Sequence, residues 1–460
     1  MPVNSDKAIG AVFAKALAEV KPSEEEFRHD VNVINRLTGR LREVVPSDVA
    51  IRVVGSVVRG TQLKGDSDID IFLLFSKKYS RERITKQGLA YARKVLESKR
   101  DSYTIKYAEH PYTRLHMESL GVEADIVPAY YIDNIEDMST AVDRSPMHAD
   151  FINSRLSQKQ RDDVRVLKHL LKANNLYGAE VRTSGFSGYL CELLVYNYGS
   201  LLDAIRNAAG FTLPVLLDPK NRTELKDRSL IARFRSQFVV IDPVDKDRNV
   251  AAGVSTESLA RFVMLCRAFL KNPSASFFHR AAAGRGGSAR ALQEFAKKAG
   301  LDIYLVAAKV PDKSEDIVWP QLRKVSEMIE YHANKHGFSI YISLQAISGK
   351  SGLLAFLAPR QELLSALHSG PSAFSAKAQS DFAAAHGKAL AFLVSGEKLS
   401  ALERSRYSDL AGFMKAVAAG RIVGRRKDVA LRGSSLFINK IPDSYAEQIY
   451  NELRKKLMLR

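Results

Sequence analysis

Cysteine is scarce in this chain: only Cys191 and Cys266 occur among 460 residues. Both lie in helix-like apolar stretches with no neighbouring thiol and no metal-ligand spacing. They are expected to be buried, reduced packing residues, and a reducing cytoplasm is compatible. Long apolar runs are missing too. No stretch of about 18 uncharged apolar residues appears, which excludes an ordinary spanning helix. Met1 to Val20 has Asp6, Lys7, Lys15 and Glu19 scattered through it, unlike a signal peptide. No convincing repeat, no long low-complexity tract and no good histidine or cysteine nucleophile is found.

What is there is charge of one sign. Lys and Arg number 69 against 51 Asp and Glu, a formal charge of +18, and the sequence pI is near 9.7. Hydrophobic residues at 46% and charged residues at 26% exclude a wholly disordered chain. The length favours several domains, each with its own core. The surplus points to a polyanionic partner, nucleic acid first and an anionic membrane surface second.

The amino end reads as two helices broken at Lys21-Pro22. Ser23 stands three before Glu26, a capping box opening a helix to about Val44. Strands are expected at 50–54, 69–75, 103–107, 112–117 and 122–127, with a helix over 80–100. Together they make a small mixed sheet with flanking helices. Residues 147–175 read as helical, with Val164, Leu167 and Leu171 on one face and the Lys168 ammonium reaching outward. A second long helix covers 188–209. A strand at 237–241 and a helix at 256–270 complete a mostly helical second domain over 151–275. Ala281 to Ser288, rich in Ala, Gly and Arg, reads as a flexible junction. Strand 303–310, helix 319–336 and strand 338–344 suggest a βαβ arrangement, followed by an apolar run at 351–357. Residues 359–408, rich in Ala and Ser, read as having helical sections.

The sharpest chemical signal runs from Gly55 to Asp70: Gly-Ser-Val-Val-Arg-Gly-Thr-Gln-Leu-Lys-Gly-Asp-Ser-Asp-Ile-Asp. On a strand, Asp68 and Asp70 project to the same side. Two adjacent carboxylates repel unless a cation neutralises them. Mg²⁺ suits carboxylates, water and substrate phosphate. Gly55 allows close backbone approach, Ser56 donates to a phosphate oxygen, and Arg59 makes paired hydrogen bonds to phosphate. Asp125 is a third carboxylate inside the apolar strand Val122 to Val127, where an unpaired charge is costly. Each alone has a bland reading, a turn or a structural salt bridge; two such strands in one sheet are better explained by a shared cation.

Gly-Ser followed by Asp-x-Asp and a third strand Asp resembles the nucleotidyltransferase superfamily headed by DNA polymerase β. Residues 121–130, 141–148, 185–194 and 242–252 extend the likeness to the archaeal class I CCA-adding enzymes, which finish the tRNA 3′ end with C, C and A. The resemblance is specific over 50–275 and fades after about 280. It implies an α+β multidomain fold: a polymerase β-like head (1–150), a helical nucleotide- and RNA-binding domain (151–275), an α/β body (276–338 and 409–460) and a tRNA-binding tail (339–408). It implies Asp68, Asp70 and Asp125 as ligands of two catalytic Mg²⁺ ions, with Asp125 helping to activate the 3′ hydroxyl. Ser56 and Arg59 resemble contacts to the triphosphate, as do Lys168 and Tyr177. Ser145, where the family commonly has Thr, and His148 resemble the pair reaching the nucleotide from the domain junction. Arg248 resembles the arginine that reads the incoming base. Expected partners are CTP, ATP and the acceptor stem and T arm of tRNA, with no membrane. A homodimer is common in the family, and the source implied is archaeal.

A poly(A) polymerase or 2′-5′ oligoadenylate synthetase is the alternative. The class II CCA enzymes are disfavoured, because Glu136-Asp137 and Glu315-Asp316 lack the Arg of their Glu-Asp-x-x-Arg motif. A non-catalytic RNA-binding relative should show decayed carboxylates, and all three are present.

Overall fold

The computed structural model describes residues 3–66, 68–96, 98, 100–107, 111–220, 229–279, 288–423, 425–426 and 428–456. The chain forms two compact units, 1–280 and 281–460. Most of the 281–288 junction expected from the sequence lies outside the described residues.

In the first unit α1 (Val3–Val20) precedes α2 (Glu24–Val44). The predicted capping box is formed: Glu26 N donates to the Ser23 hydroxyl and Ser23 N to the Glu26 carboxylate. Strand β1 (Ala50–Val54) runs into a single helical turn, α3 (Gly55–Val58). There follow β2 (Asp68–Phe75), α4 (Arg81–Lys94), β3 (Ser102–Tyr107), β4 (Pro111–Met117) and β5 (Val122–Tyr130). Helix α4 ends well before residue 100, because Val95 leaves it and turns into the core.

The five strands form one mixed sheet, ordered β1-β2-β5-β4-β3. Only β2 and β5 run parallel. Alternation along β2 sends Ile69, Ile71, Leu73 and Phe75 toward Leu37 and Leu41 of α2 and Ile84 of α4. Each such buried side chain contributes roughly 1.5–3 kcal/mol. The opposite face carries Phe72 and Leu74 against Val127 and Ala129. Asp70 and Asp125 share that second face.

The rest of the unit is α5 (Ser145–Arg155), α6 (Gln158–Ala173), α7 (Gly188–Tyr198), α8 (Leu201–Ala209), β6 (Val215–Leu217), α9 (Ser229–Phe234), β7 (Phe238–Val240) and α10 (Thr256–Lys271). Two helices expected to be continuous are broken. Ser157 caps α6 in a second capping box with Gln160, splitting 147–175 at Leu156. Gly199, at φ 81°, ends α7, and Ser200 caps α8. Val164, Leu167 and Leu171 are buried as expected, and Cys191 and Cys266 are buried and free.

The second unit holds α11 (Ser288–Ala299), β8 (Leu301–Lys309), α12 (Glu315–Lys335), β9 (Ile342–Ser348) and β10 (Ser351–Pro359). After these come β11 (Ser365–Ser372), α13 (Ala376–Ala385), β12 (Ala391–Ser395), β13 (Lys398–Arg404), α14 (Leu410–Ala418), β14 (Arg425–Arg426), β15 (Val429–Ile438) and α15 (Asp443–Lys456). Its main sheet is ordered β14-β15-β8-β10-β9. The expected βαβ unit exists, but β10 lies between its two parallel strands, antiparallel to both. Residues 359–408 are mainly a three-stranded sheet, β11-β13-β12, with one helix, rather than helical sections. Their Ala and Ser content hid the strand alternation. Among the described residues no helix is long and apolar enough to cross a membrane.

Candidate active site

Strand β2 aligns with β5 so that Asp70 stands directly opposite Asp125, and Asp68 opposite Glu123. Neighbouring strands lie about 4.8 Å apart, so Asp70 and Asp125 project side by side. Asp68 begins β2; its side chain lies outside the described residues. Arg114 of β4 meets Asp125 with two parallel hydrogen bonds, Nε to Oδ1 and Nη2 to Oδ2, both 2.7 Å. Asp125 is thus held in a structural salt bridge, the plainer of the two readings of a carboxylate inside this strand, and among the described residues no group of three or more His, Cys, Asp or Glu side chains gathers as metal ligands.

Gly55 explains how the preceding turn approaches these carboxylates. It adopts φ 87°, and a Cβ there would lie 2.3 Å from Asp70 Oδ2. Only glycine satisfies both constraints. Ser56 follows in α3, where its carbonyl accepts from Thr61 N at 2.9 Å. Arg59 closes the turn, but its Nε donates to Glu192 Oε1 of α7 at 2.9 Å rather than pointing into open solvent.

Glu192 is wholly buried and organises this side of the site. Its Oε1 also accepts from the Thr61 hydroxyl at 2.6 Å and lies 4.0 Å from Lys168 Nζ. Lys168 corrects the sequence expectation. Its side chain is 2% exposed, and its ammonium turns inward to donate to Thr61 O at 2.9 Å. Burial works against the Glu192 charge, but Arg59 and Lys168 outweigh it and hold the carboxyl below its ordinary range. Burial pulls the Lys168 ammonium down, with Glu192 only partly restoring it. Gly188, the first residue of α7, lets the helix approach closely: a Cβ there would sit 3.1 Å from the Tyr177 hydroxyl and 3.5 Å from Lys168 Nζ. Burial pushes the Tyr177 phenol far up, so it stays neutral.

A second group surrounds Asp242, which is also wholly buried. Its Oδ2 accepts from His148 Nε2 at 2.7 Å and Arg248 Nη1 at 2.8 Å. Its Oδ1 accepts from Val244 N at 2.9 Å and the Tyr189 hydroxyl at 3.2 Å. Burial opposes its charge, but His148 and Arg248 prevail and hold the carboxyl well below the usual range. The His148 ring stacks on Tyr189, centroids 4.2 Å apart, and burial lowers its basicity despite Asp242. Arg248 remains 30% exposed. With Arg144, Ser187, Asp245 and Asn249 it lines a groove of about 1060 Å³, room for a nucleotide. Ser145 lies one turn before His148 on α5 but makes none of these hydrogen bonds.

Five of the seven nucleotide-site residues expected from the sequence fall into two networks around buried carboxylates, and Ser56 and Ser145 join neither. Arg59, Lys168 and Tyr177 gather near Glu192; His148 and Arg248 gather on Asp242. Tyr189 and Glu192 share α7, so one helix serves both. Arg59 also feels the Asp70 charge, which puts the first network beside the carboxylates. Sequence reasoning passed over Glu192, Asp242, Tyr189, Thr61 and Arg114 as individual residues. A carboxylate inside Leu190-Cys191-Glu192-Leu193-Leu194 was as strong a signal as Asp125 in its strand.

Three family models match in order along the chain: the nucleotidyltransferase domain over residues 34–152, the second domain of tRNA nucleotidyltransferase over 162–279, and the carboxyl-terminal domain of the CCA-adding enzyme over 299–430. The CCA-adding enzyme of Archaeoglobus fulgidus is 39% identical over 327 residues, spanning 71% of this chain and 70% of that one. The chain belongs to the CCA-adding enzyme family. The family's member from Methanocaldococcus jannaschii is 34% identical over 90% of this chain and 92% of its own. That from Thermococcus gammatolerans is 31% identical over 95% and 96%. The first match contains the Asp70–Asp125 register and gives the head its fold, that of polymerase β-like nucleotidyltransferases in a multidomain α+β chain. The third reaches past residue 280, where the motif likeness in the sequence fades.

Proposed function

We propose the following division of labour for the family's reaction in this chain. The enzyme adds C, C and A to the 3′ end of tRNA from CTP and ATP without a template, releasing pyrophosphate. Asp68, Asp70 and Asp125 are the metal-binding carboxylates. The donor types suit a hard divalent cation, since Asp70 and Asp125 stand in register on one sheet face; the Arg114 salt bridge on Asp125 would have to open for that carboxylate to ligate a metal. When bound, two Mg²⁺ ions would supply charge neutralisation for the attacking and leaving oxygens.

The chain's own groups do the rest by positioning. Ser56, Arg59, Lys168 and Tyr177 hold the triphosphate. Glu192 fixes Arg59 in advance, while Lys168, held inward on Thr61, must turn out from that contact to reach a phosphate. Ser145 and His148 approach the nucleotide from α5, and Arg248 reads the base from the groove wall. Basic residues beyond the head hold the acceptor stem and T arm through phosphates, which makes tRNA affinity fall with salt. The setting is a reducing cytoplasm, consistent with two buried free thiols.

The single observation that carries this reading is the alignment of Asp70 with Asp125 beside the Arg59–Glu192–Lys168 network. The test is extension of a tRNA transcript ending at the discriminator base, with Mg²⁺ and labelled CTP and ATP. Two C additions, one A addition and arrest are expected; a long A tail contradicts it.

A further inference from the structure

Helix α6 carries a row of cations of which the triphosphate reading uses only Lys168. Arg161, Arg165, Lys168 and Lys172 are spaced four, three and four residues apart, so they lie along one face of the helix. All four are directed at the segment that links α3 to β2. Arg161 donates to Arg59 O, Lys168 to Thr61 O, Arg165 to Gln62 O and Lys172 to the Asp66 carboxylate. The carbonyls of residues 59, 61 and 62 thus each meet a cation. That matters in a turn that receives a triphosphate, because an uncompensated carbonyl oxygen beside it would repel the anion.

The cations are not held alike. Arg165 is buried and fixed at all three nitrogens: Nε donates to Gln62 O at 2.9 Å, Nη2 to Gln62 Oε1 at 3.3 Å and Nη1 to Asp162 Oδ1 at 2.6 Å. Asp162 is itself anchored by Lys21 Nζ at 2.9 Å. Gln62 is 1% exposed, and among the described residues its Nε2 finds no hydrogen-bond partner. An unpaired buried donor is costly, and the grip of the same amide's oxygen on Arg165 offsets it. Lys168 rests on Thr61 alone, through the carbonyl at 2.9 Å and the hydroxyl at 3.2 Å, with Glu192 4.0 Å away. An ammonium on a flexible stem exchanges acceptors readily, whereas a guanidinium forked onto several does not. We propose that Arg165 is a positioning residue for the triphosphate: it pins the Thr61–Gln62 turn through Gln62, so that Lys168 leaves Thr61 for a phosphate without the turn coming loose. This rests on the reading of Lys168 as a triphosphate contact. It adds a division within α6 between a cation that stays and a cation that moves.

Two measurements on the full chain test it. Arg165→Lys keeps the charge and loses the fork. In steady-state addition to tRNA it should raise KM for CTP and for ATP equally, by about tenfold, with kcat within about twofold of wild type. An unchanged KM, or a fall in kcat alone, overturns the proposal. Amide hydrogen exchange over residues 59–66, without tRNA, gives a readout that a merely structural arginine would not give. In Arg165→Lys the segment should exchange at the wild-type rate without nucleotide, when Lys168 still holds Thr61. It should exchange about tenfold faster once CTP and Mg²⁺ saturate the protein. Faster exchange in both conditions, or in neither, overturns the proposal. Should Arg165→Lys fail to fold, Gln62→Leu repeats both measurements with Oε1 removed and the backbone acceptor kept; wild-type KM and exchange there overturn it equally. An unchanged KM for both nucleotides in Lys168→Met would instead remove the reading of the triphosphate contacts, so the two failures are separable.

Discussion

Glu192 and Asp242 are both carboxylates with no solvent exposure, yet they hold their cations differently. Glu192 faces Arg59 and Lys168, so that network is formally +1. Asp242 faces Arg248 and a neutral His148, so that network is formally neutral. The difference matches the two halves of a nucleoside triphosphate. The phosphate half is highly charged and suits surplus positive charge; the base is uncharged and suits a pattern of donors and acceptors. Burial separates them too. Lys168 is sealed against the Thr61 carbonyl, while Arg248 keeps 30% of its side chain open along the groove. One network is a fixed floor and the other a readable wall.

The largest expected effect lies outside both networks and sets their scale. Asp70→Ala or Asp125→Ala should reduce both C and A addition by about three orders of magnitude, with tRNA binding retained in filter assays. Comparable turnover in either variant would remove the carboxylates from the chemistry. Next comes Gly55→Ala. It drives a methyl group into the Asp70 carboxylate and forbids the observed φ. Addition should fall about a hundredfold, measured as kcat on saturating CTP; wild-type kcat would show that the turn need not approach Asp70 so closely.

Glu192→Gln leaves two buried cations without their carboxylate. Loss of a buried partner costs about 3–5 kcal/mol, which a urea titration would resolve. The change in KM should be the same for CTP and ATP, because both carry the same triphosphate. Arg248→Ala should cost less stability, because Arg248 is 30% exposed and Asp242 keeps its bonds to His148, Tyr189 and Val244, while the preference for CTP and ATP over UTP and GTP declines. Matching stability losses in both variants would erase the distinction between floor and wall.

The smallest effect is a pH dependence. Burial depresses the His148 pKa below its ordinary 6.5. The unfolded chain then binds a proton at pH values where the folded chain does not. The stability tied to a neutral His148 is complete above about pH 6.5 and is lost as pH falls toward the lower folded value. Depressed His169 and His336 act in the same direction. His148→Gln should therefore flatten, without abolishing, the decline in stability between pH 6.5 and 5.

How much of this could be read in advance depended on whether the information was local. The capping box at Ser23, the alternation in β2 and the Asp68-x-Asp70 spacing on one strand are written within a few residues, and they hold in the fold. The breaks at Ser157 and Gly199 were equally local, a capping box and a Gly-Ser pair, but the apolar periodicity running through them masked the signal. The inward turn of Lys168 was not local at all. Its partner Thr61 lies 107 residues away, and nothing in helix α6 alone distinguishes a snorkelling lysine from a buried one. Glu192 and Asp242 sat inside motif segments, yet their roles appear only when α7 brings Tyr189 and Glu192 between the two sets of cations. The second unit was harder, since Ala and Ser at strand positions carry little alternation to read.

The comparison is tested most directly by one paired measurement: kcat/KM for CTP and for UTP on the same tRNA, in Glu192→Gln and in Asp242→Asn. Glu192→Gln should lower both values together and keep their ratio at the wild-type level, whereas Asp242→Asn should collapse the ratio. The same ratio in both variants, changed or unchanged, would contradict the assignment of separate tasks to the two buried carboxylates.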